Sequence, residues 1–131
     1  MRIRGPRPSD LRGRASEERF ERMAGTLKDS KRLPWIFEVI KTTQYMDVFE
    51  KTDFKLHARG RNGEMHLQFW ISIQVKSSMA AAREFSRRYP DSKVHLVVMN
   101  GWMNIDRLKE RLERIYDIEV KKITKPAPVA V

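Results

Sequence analysis

The sequence predicts an α/β domain in the order α-β-β-β-α-β-α, with a mixed central sheet flanked by helices. Three observations carry this. Asp53–Ala58 and Met65–Val75 both alternate apolar and polar residues, and Asn62-Gly63 lies between them. That is a period of two around the strongest short hairpin signal. Apolar residues recur with helical spacing after Ser16, after Ser77-Ser78 and after Asn104. Val94–Met99 is a short unbroken apolar run, as a buried strand would be.

Each element has a local reason. Ser16 is a suitable N-cap, and Glu17 and Glu18 occupy the first turn, where the helix dipole favours anions. Phe20, Met23, Ala24 and Leu27 then follow helical spacing, and the helix is expected to end near Ser30, before Leu33-Pro34. Trp35–Thr42 is rich in aromatic and β-branched residues and reads as the first strand. Residues 44–52 are polar and irregular. The hairpin follows. Ser77 or Ser78 then caps a helix with Met79, Ala82, Phe85 and Tyr89 on its apolar side, closed by Pro90. Asn104 caps the last helix, whose stripe is Ile105, Leu108, Leu112 and Ile115. Ile118–Ile123 is expected to add an edge strand.

A chain of 131 residues suggests one domain. Residues 1–15 read as a basic flexible arm, 16–123 as the folded domain and 124–131 as a flexible tail. The first 14 residues carry five arginines, two prolines and two glycines. The formal net charge is +10, which favours polyanionic partners such as nucleic acid or an acidic membrane surface without choosing between them. With no cysteine, disulfides and cysteine-based zinc sites are excluded, which fits a reducing cytoplasm. No apolar stretch is long enough to span a membrane. The basic N-terminus has no apolar segment of the kind a secretory signal needs.

Placing Asn62-Gly63 at the two central turn positions sets a register. Asp53 then falls opposite Ser72, and Phe54 opposite Ile71. The apolar sides of both strands coincide, as a one-sided core requires. Asp53, Ser72, Gln74 and Lys76 fall together on the opposite face.

An acid on one strand facing Gln74-Val75-Lys76 on the next resembles the PD-(D/E)xK, or restriction endonuclease-like, superfamily in its Q-x-K variant. The order of elements matches the α-β-β-β-α-β core of that family. Gln74-Val75-Lys76-Ser77-Ser78 ahead of a helix is similar to strands of Mrr-type and Holliday-junction-resolvase-like domains. Asp53 takes the place of the motif's first acid, preceded here by Thr52 rather than proline. Phe20-Glu21 matches a first-helix Phe-Glu, with Glu17, one turn earlier, as runner-up. The resemblance spans residues 16–100 through short motifs.

The resemblance implies a metal-dependent endonuclease acting on DNA rather than RNA, using Mg²⁺ or Mn²⁺. Asp53, the Gln74 amide oxygen and the Val75 carbonyl would hold the ion, because a hard cation takes oxygen ligands. Glu21 would approach from the helix. Lys76 would orient the attacking water and offset phosphate charge. Arg59 and Arg61 at the hairpin tip, with Arg83 and Arg87 on the second helix, are candidate phosphate contacts. Two-strand cutting makes a homodimer natural.

Each residue also has an ordinary explanation. Lys76 would be a solvated strand end, Asp53 a turn cap or an ion-pair partner of Lys51 or Lys55, and Glu21 a surface helix residue. His57, His66 and His95 lack metal-ligand spacing. Trp70 shares the site face and is suited to stacking on a base, but packing beneath the first helix is the expected role. Trp102 is expected to be buried against the last helix. Two other functions are consistent with this composition: a nuclease-fold module that binds nucleic acid without cutting it, and a basic protein that binds an acidic partner.

Overall fold

The structure, a computed structural model, describes residues 8–43 and 51–124. The predicted arm lies outside these residues up to position 7, as do most of the polar 44–52 segment and the tail beyond Thr124. Among the described residues, seven elements follow in the predicted order: α1 (Pro8–Asp29), β1 (Ile36–Lys41), β2 (Phe54–Arg59), β3 (Gln68–Lys76), α2 (Met79–Arg88), β4 (His95–Val98) and α3 (Ile105–Thr124). The four strands form one sheet in the order β1-β2-β3-β4. The first three are antiparallel, and β4 runs parallel to β3. The domain is therefore α/β with a mixed sheet. No helix among the described residues is long and apolar enough to cross a membrane.

The core lies on one face of the sheet. Phe54, Leu56 and Ala58 from β2 meet Ile71, Ile73 and Val75 from β3, all buried. Phe20, Ala24 and Leu27 of α1 cover them, and the Phe20 and Phe54 rings lie 4.9 Å apart. Leu108, Leu112, Ile115 and Tyr116 of α3 extend the layer, with Tyr116 packed on Trp35 at 4.5 Å. Burial of each such side chain contributes about 1.5–3 kcal/mol. Across the other face lies α2, near the β3–β4 end, where it buries Ala82 and Phe85.

Several local expectations hold. Ser78 caps α2, its Oγ accepting from Ala81 N at 3.1 Å, and the helix stops before Pro90. Asn104 caps α3 through Oδ1, which accepts from Arg107 N at 2.9 Å. At the end of α1 the backbone turns through Lys31 at φ 60°, and Leu33 N donates back to Leu27 O at 3.2 Å.

Others are corrected. The first helix begins at Pro8, not Ser16. Proline at a first helical position pre-sets φ and sacrifices only an N–H without an intrahelical partner. Ser16 is instead a buried interior residue, its Oγ donating to Met99 O at 3.4 Å. The edge strand expected over Ile118–Ile123 does not form, because α3 continues to Thr124. The reason is spacing. Tyr116 and Val120 prolong the stripe begun by Leu108 and Leu112, with no glycine or proline to stop it.

The hairpin is also longer than a two-residue turn. Arg59 pairs with Gln68, so residues 60–67 make the connection. Gly60 N donates to Glu64 O at 2.8 Å, and Gly63 N donates to Gly60 O at 2.8 Å with Gly63 at φ +96°. A Cβ on Gly60 would lie 2.3 Å from Glu64 Oε2 and 3.1 Å from the Glu64 carbonyl oxygen, so a larger residue there would require the Glu64 side chain to swing away and its backbone to shift slightly. The added length slides the register by two. Phe54 pairs with Ile73 rather than Ile71, and Ser72 faces Lys55 rather than Asp53. An even slide keeps every side chain on its predicted face.

Candidate functional site

The slide moves Asp53 past Ser72 to the level of Gln74. Asp53 N donates to Ile73 O at 2.8 Å, and Asp53 Oδ2 accepts from Val75 N at 2.8 Å. The acid is thus bonded on both sides of Gln74. Its own carbonyl accepts from Thr42 N at 3.0 Å and Thr42 Oγ1 at 3.0 Å, which ties this corner to the end of β1. Both Asp53 and Gln74 are largely shielded from water, at 7% and 9% exposure. The backbone reason is alternation: Phe54 and Ile73 enter the core, so their neighbours turn to the other face.

Gln74 carries the most informative atom. Its Oε1 is buried and has no hydrogen-bond partner. Leaving a buried acceptor unsatisfied costs about 1–3 kcal/mol. Lys76 follows on the same face, half-buried, with Nζ 4.9 Å from the centre of the Phe85 ring. Gln74 and Lys76 open into a cleft of about 470 Å³ against α2, where Glu84, Phe85, Arg88 and Tyr89 form the far wall. Lys51 closes one side, at φ 55° and with Nζ 5.0 Å from the Tyr89 ring centre. Three cations and one carboxylate therefore line the cleft, which suits an anionic occupant.

The other predicted residues are placed as follows. Val75 is buried and meets Asp53 through its N–H. Glu21 is exposed on α1, the helix that covers the core face, and Glu17 is half-buried on the same helix. Among the described residues, no three of His, Asp or Glu gather as a metal-binding group. Arg59 is occupied by the fold: Nε donates to Pro34 O at 2.9 Å, and the guanidinium lies 5.3 Å from the Phe37 ring centre. Arg61 pairs with Asp117, whose hydrogen bond raises the guanidinium pKa further. Arg87 is exposed and paired with Glu84 at 2.6 Å. Arg83 is exposed beside a second, largely apolar groove that includes Met79, Trp102 and Met103.

Both tryptophan expectations are overturned. Trp70 does not pack beneath α1. It is 50% exposed on the opposite face, stacked on His57 at 4.5 Å with 14° between the rings. An even position on β3 cannot face α1 when Ile71 and Ile73 do. Trp102 is 77% exposed, because Gly101 and Trp102 form a turn ahead of α3 rather than part of its apolar stripe. His95 is satisfied as expected, its Nε2 lying 2.6 Å from Glu119 Oε1. Sequence reasoning passed over Lys51, Arg88 and Lys93 as site residues. None belongs to a motif: Arg88 reaches β3 on α2, while Lys51 and Lys93 come from the segments that precede β2 and β4.

No family model, curated protein or solved structure matches the chain.

Proposed function

We propose that this chain is a metal-dependent endonuclease of restriction endonuclease-like topology, acting on DNA. One observation carries the reading: an acid, Asp53, beside a buried and unpartnered amide oxygen on Gln74, with Lys76 next on the same face. A carboxylate and an amide oxygen are the donor types a hard divalent cation takes. The orphaned Gln74 Oε1 fits this role, since coordination would remove its desolvation penalty. Mg²⁺ or Mn²⁺ bound there would polarise a phosphate oxygen and acidify a nearby water.

The chain's own residues supply the rest. Asp53, held by Val75 N–H, is preorganised rather than free to swing. Lys76 lies against Phe85, which limits its rotamers and aims the ammonium at the cleft. There it would offset charge on the phosphoryl group and hold the attacking water by hydrogen bonding. Lys51 and Arg88 would anchor flanking phosphates. A second reading, a nuclease-fold module that binds DNA without cutting, is favoured by the exposed position of Glu21 and by Gln74 standing where an acid would bind metal more strongly.

The test is a Mg²⁺ and Mn²⁺ titration over supercoiled, branched and single-stranded DNA. Wild-type protein is expected to cleave only with the ion. Asp53→Asn and Lys76→Ala are expected to abolish cleavage while unfolding cooperatively. Mg²⁺ is also expected to raise the melting temperature of the wild type but not of Asp53→Asn. Cleavage that persists in both variants overturns the reading. Binding without cleavage on every substrate supports the module instead.

A further inference from the structure

The face of β3 that carries Gln74 and Lys76 continues, two residues at a time, to Ser72 and Trp70. The clefts along this face share walls. The cleft at Gln74 and Lys76 shares Lys51, Arg88 and Tyr89 with a second, and that second shares Ser72 and Lys93 with a third at Trp70. They form one groove along the strand. From Lys76 to Trp70 the groove runs about 20 Å at the rise of a β-strand. Its cations are Lys51, Lys76, Arg88, Lys93 and Lys122, against the acids Glu84, Asp91 and Glu119. Lys93 is exposed, and no ion pair forms on it among the described residues.

The Trp70 end has a particular shape. His57 stacks on one face of the indole, from β2, and Phe37 of β1 meets His57 edge-on at 5.2 Å. Phe37 is itself 44% exposed. The cleft lies on the other side, where β4 has not yet begun and α3 runs past with Glu119 and Lys122. It holds about 420 Å³, with Trp70 as one wall, Ser72 beside it, and Lys93 and Lys122 at its rim. That volume suits a small planar ligand. Glu119 is also turned towards it. Burial pushes its carboxyl pKa up, but hydrogen bonds from His95 and Lys122 prevail and hold it below the ordinary range. It is therefore an acceptor at neutral pH.

We infer that this groove binds single-stranded nucleic acid, with an unpaired base inserted against Trp70 and the sugar-phosphate strand running along β3 to the Asp53–Gln74–Lys76 corner. Two physical arguments select that occupant. A positive groove that tracks a backbone, ending on an upright aromatic ring, is how proteins hold single strands, because every base offers a π-face to stack. A paired base offers no free face at that depth, so the insertion discriminates against intact duplex. The Lys93 and Lys122 ammonium groups match the phosphates, and the Glu119 carboxylate accepts from an exocyclic amine of the base. The inference rests on the proposed site for what lies at the far end of the groove, but the binding itself does not need catalysis.

The test is anisotropy of a short labelled deoxy-oligonucleotide, single-stranded and duplex, measured in EDTA so that no cleavage intervenes. The single strand is expected to bind tighter than the duplex and to quench tryptophan emission. Trp70→Ala is expected to weaken single-strand binding about tenfold. Trp70→Phe retains a ring and is expected to recover most of that loss. Trp102→Ala, a more exposed tryptophan outside the groove, is expected to change nothing. Trp70→Ala binding the single strand like wild type, or a duplex bound as tightly as the single strand, overturns the inference. The two readings fail separately. Trp70-dependent binding in a protein that never cleaves leaves the groove standing and removes the nuclease. Asp53-dependent cleavage without Trp70-dependent binding does the reverse.

Discussion

On the face of the sheet that meets α1 and α3, Phe54, Leu56, Ile71 and Ile73 are essentially inaccessible to water. One residue along, on the other face, His57 and Trp70 stack in the open, Gln74 buries an unpaired oxygen, and cations line a groove. The first face is explained mainly by packing: its side chains touch apolar neighbours, and Trp35 Nε1 is the buried side-chain group there without a partner among the described residues. The second is not. An exposed indole and an orphaned amide both sacrifice stability that a plainer sequence would retain. The same two strands supply both faces, so the difference lies in the side chains rather than in the backbone that presents them.

Replacing one aromatic on each face is the sharpest way to break this comparison. Phe54→Ala is expected to destabilise the domain by about 3–5 kcal/mol, because it removes a ring packed on Phe20 and leaves a cavity. Trp70→Ala is expected to cost less than about 1 kcal/mol. Urea unfolding measures both, and equal losses would erase the distinction between the faces.

A smaller effect separates charge from structure at the corner. Asp53→Ala leaves Val75 N–H without its acceptor and is expected to cost about 1–3 kcal/mol. Asp53→Asn keeps an oxygen there and is expected to recover much of that cost. Identical stability of the two variants would mean that the Val75 hydrogen bond contributes little.

Next comes pH. The folded-state pKa of Glu119 lies below its unfolded value, since the hydrogen bonds from His95 and Lys122 outweigh burial. Its contribution is therefore present above the ordinary carboxylate pKa of about 4.3 and is lost as pH falls through the lower folded value. Wild type minus Glu119→Gln stability, followed by thermal melts, is expected to shrink on acidification through that window. A difference that stays constant with pH would remove Glu119 as an ionised acceptor beside Trp70.

The smallest effect lies away from both faces. Lys31 sits at φ 60°, where a side chain is disfavoured. Lys31→Gly is expected to stabilise the domain by about 0.5–1 kcal/mol. A melting temperature that falls instead would show that the lysine makes an offsetting contribution.

Much of this was legible in the residues. Alternation in Asp53–Ala58 and Met65–Val75 identified two strands and their apolar sides, and Ser77 or Ser78, Pro90 and Asn104 marked helix ends. The face shared by Asp53, Gln74 and Lys76 followed from parity alone. The register did not, because the tight contact between Gly60 and Glu64 that lengthens the hairpin depends on where the chain goes after Gly63. Nor did the start of α1. Pro8 read as a loop residue, and glycine and arginine around it hid a helix.

Local periodicity, caps and turn residues determined the order of elements and which side of each strand is apolar, since those depend on neighbours a few positions away. Tertiary structure alone decided that Asp53 lies beside Gln74 rather than Ser72, that Trp70 and Trp102 stand in water, and that Lys51, Arg88 and Lys93 converge on one groove. The register depends on the length of the connection between β2 and β3, and the groove on how α2 and α3 cross the sheet. Such crossings are set by the summed packing of distant segments, which no single stretch of sequence encodes.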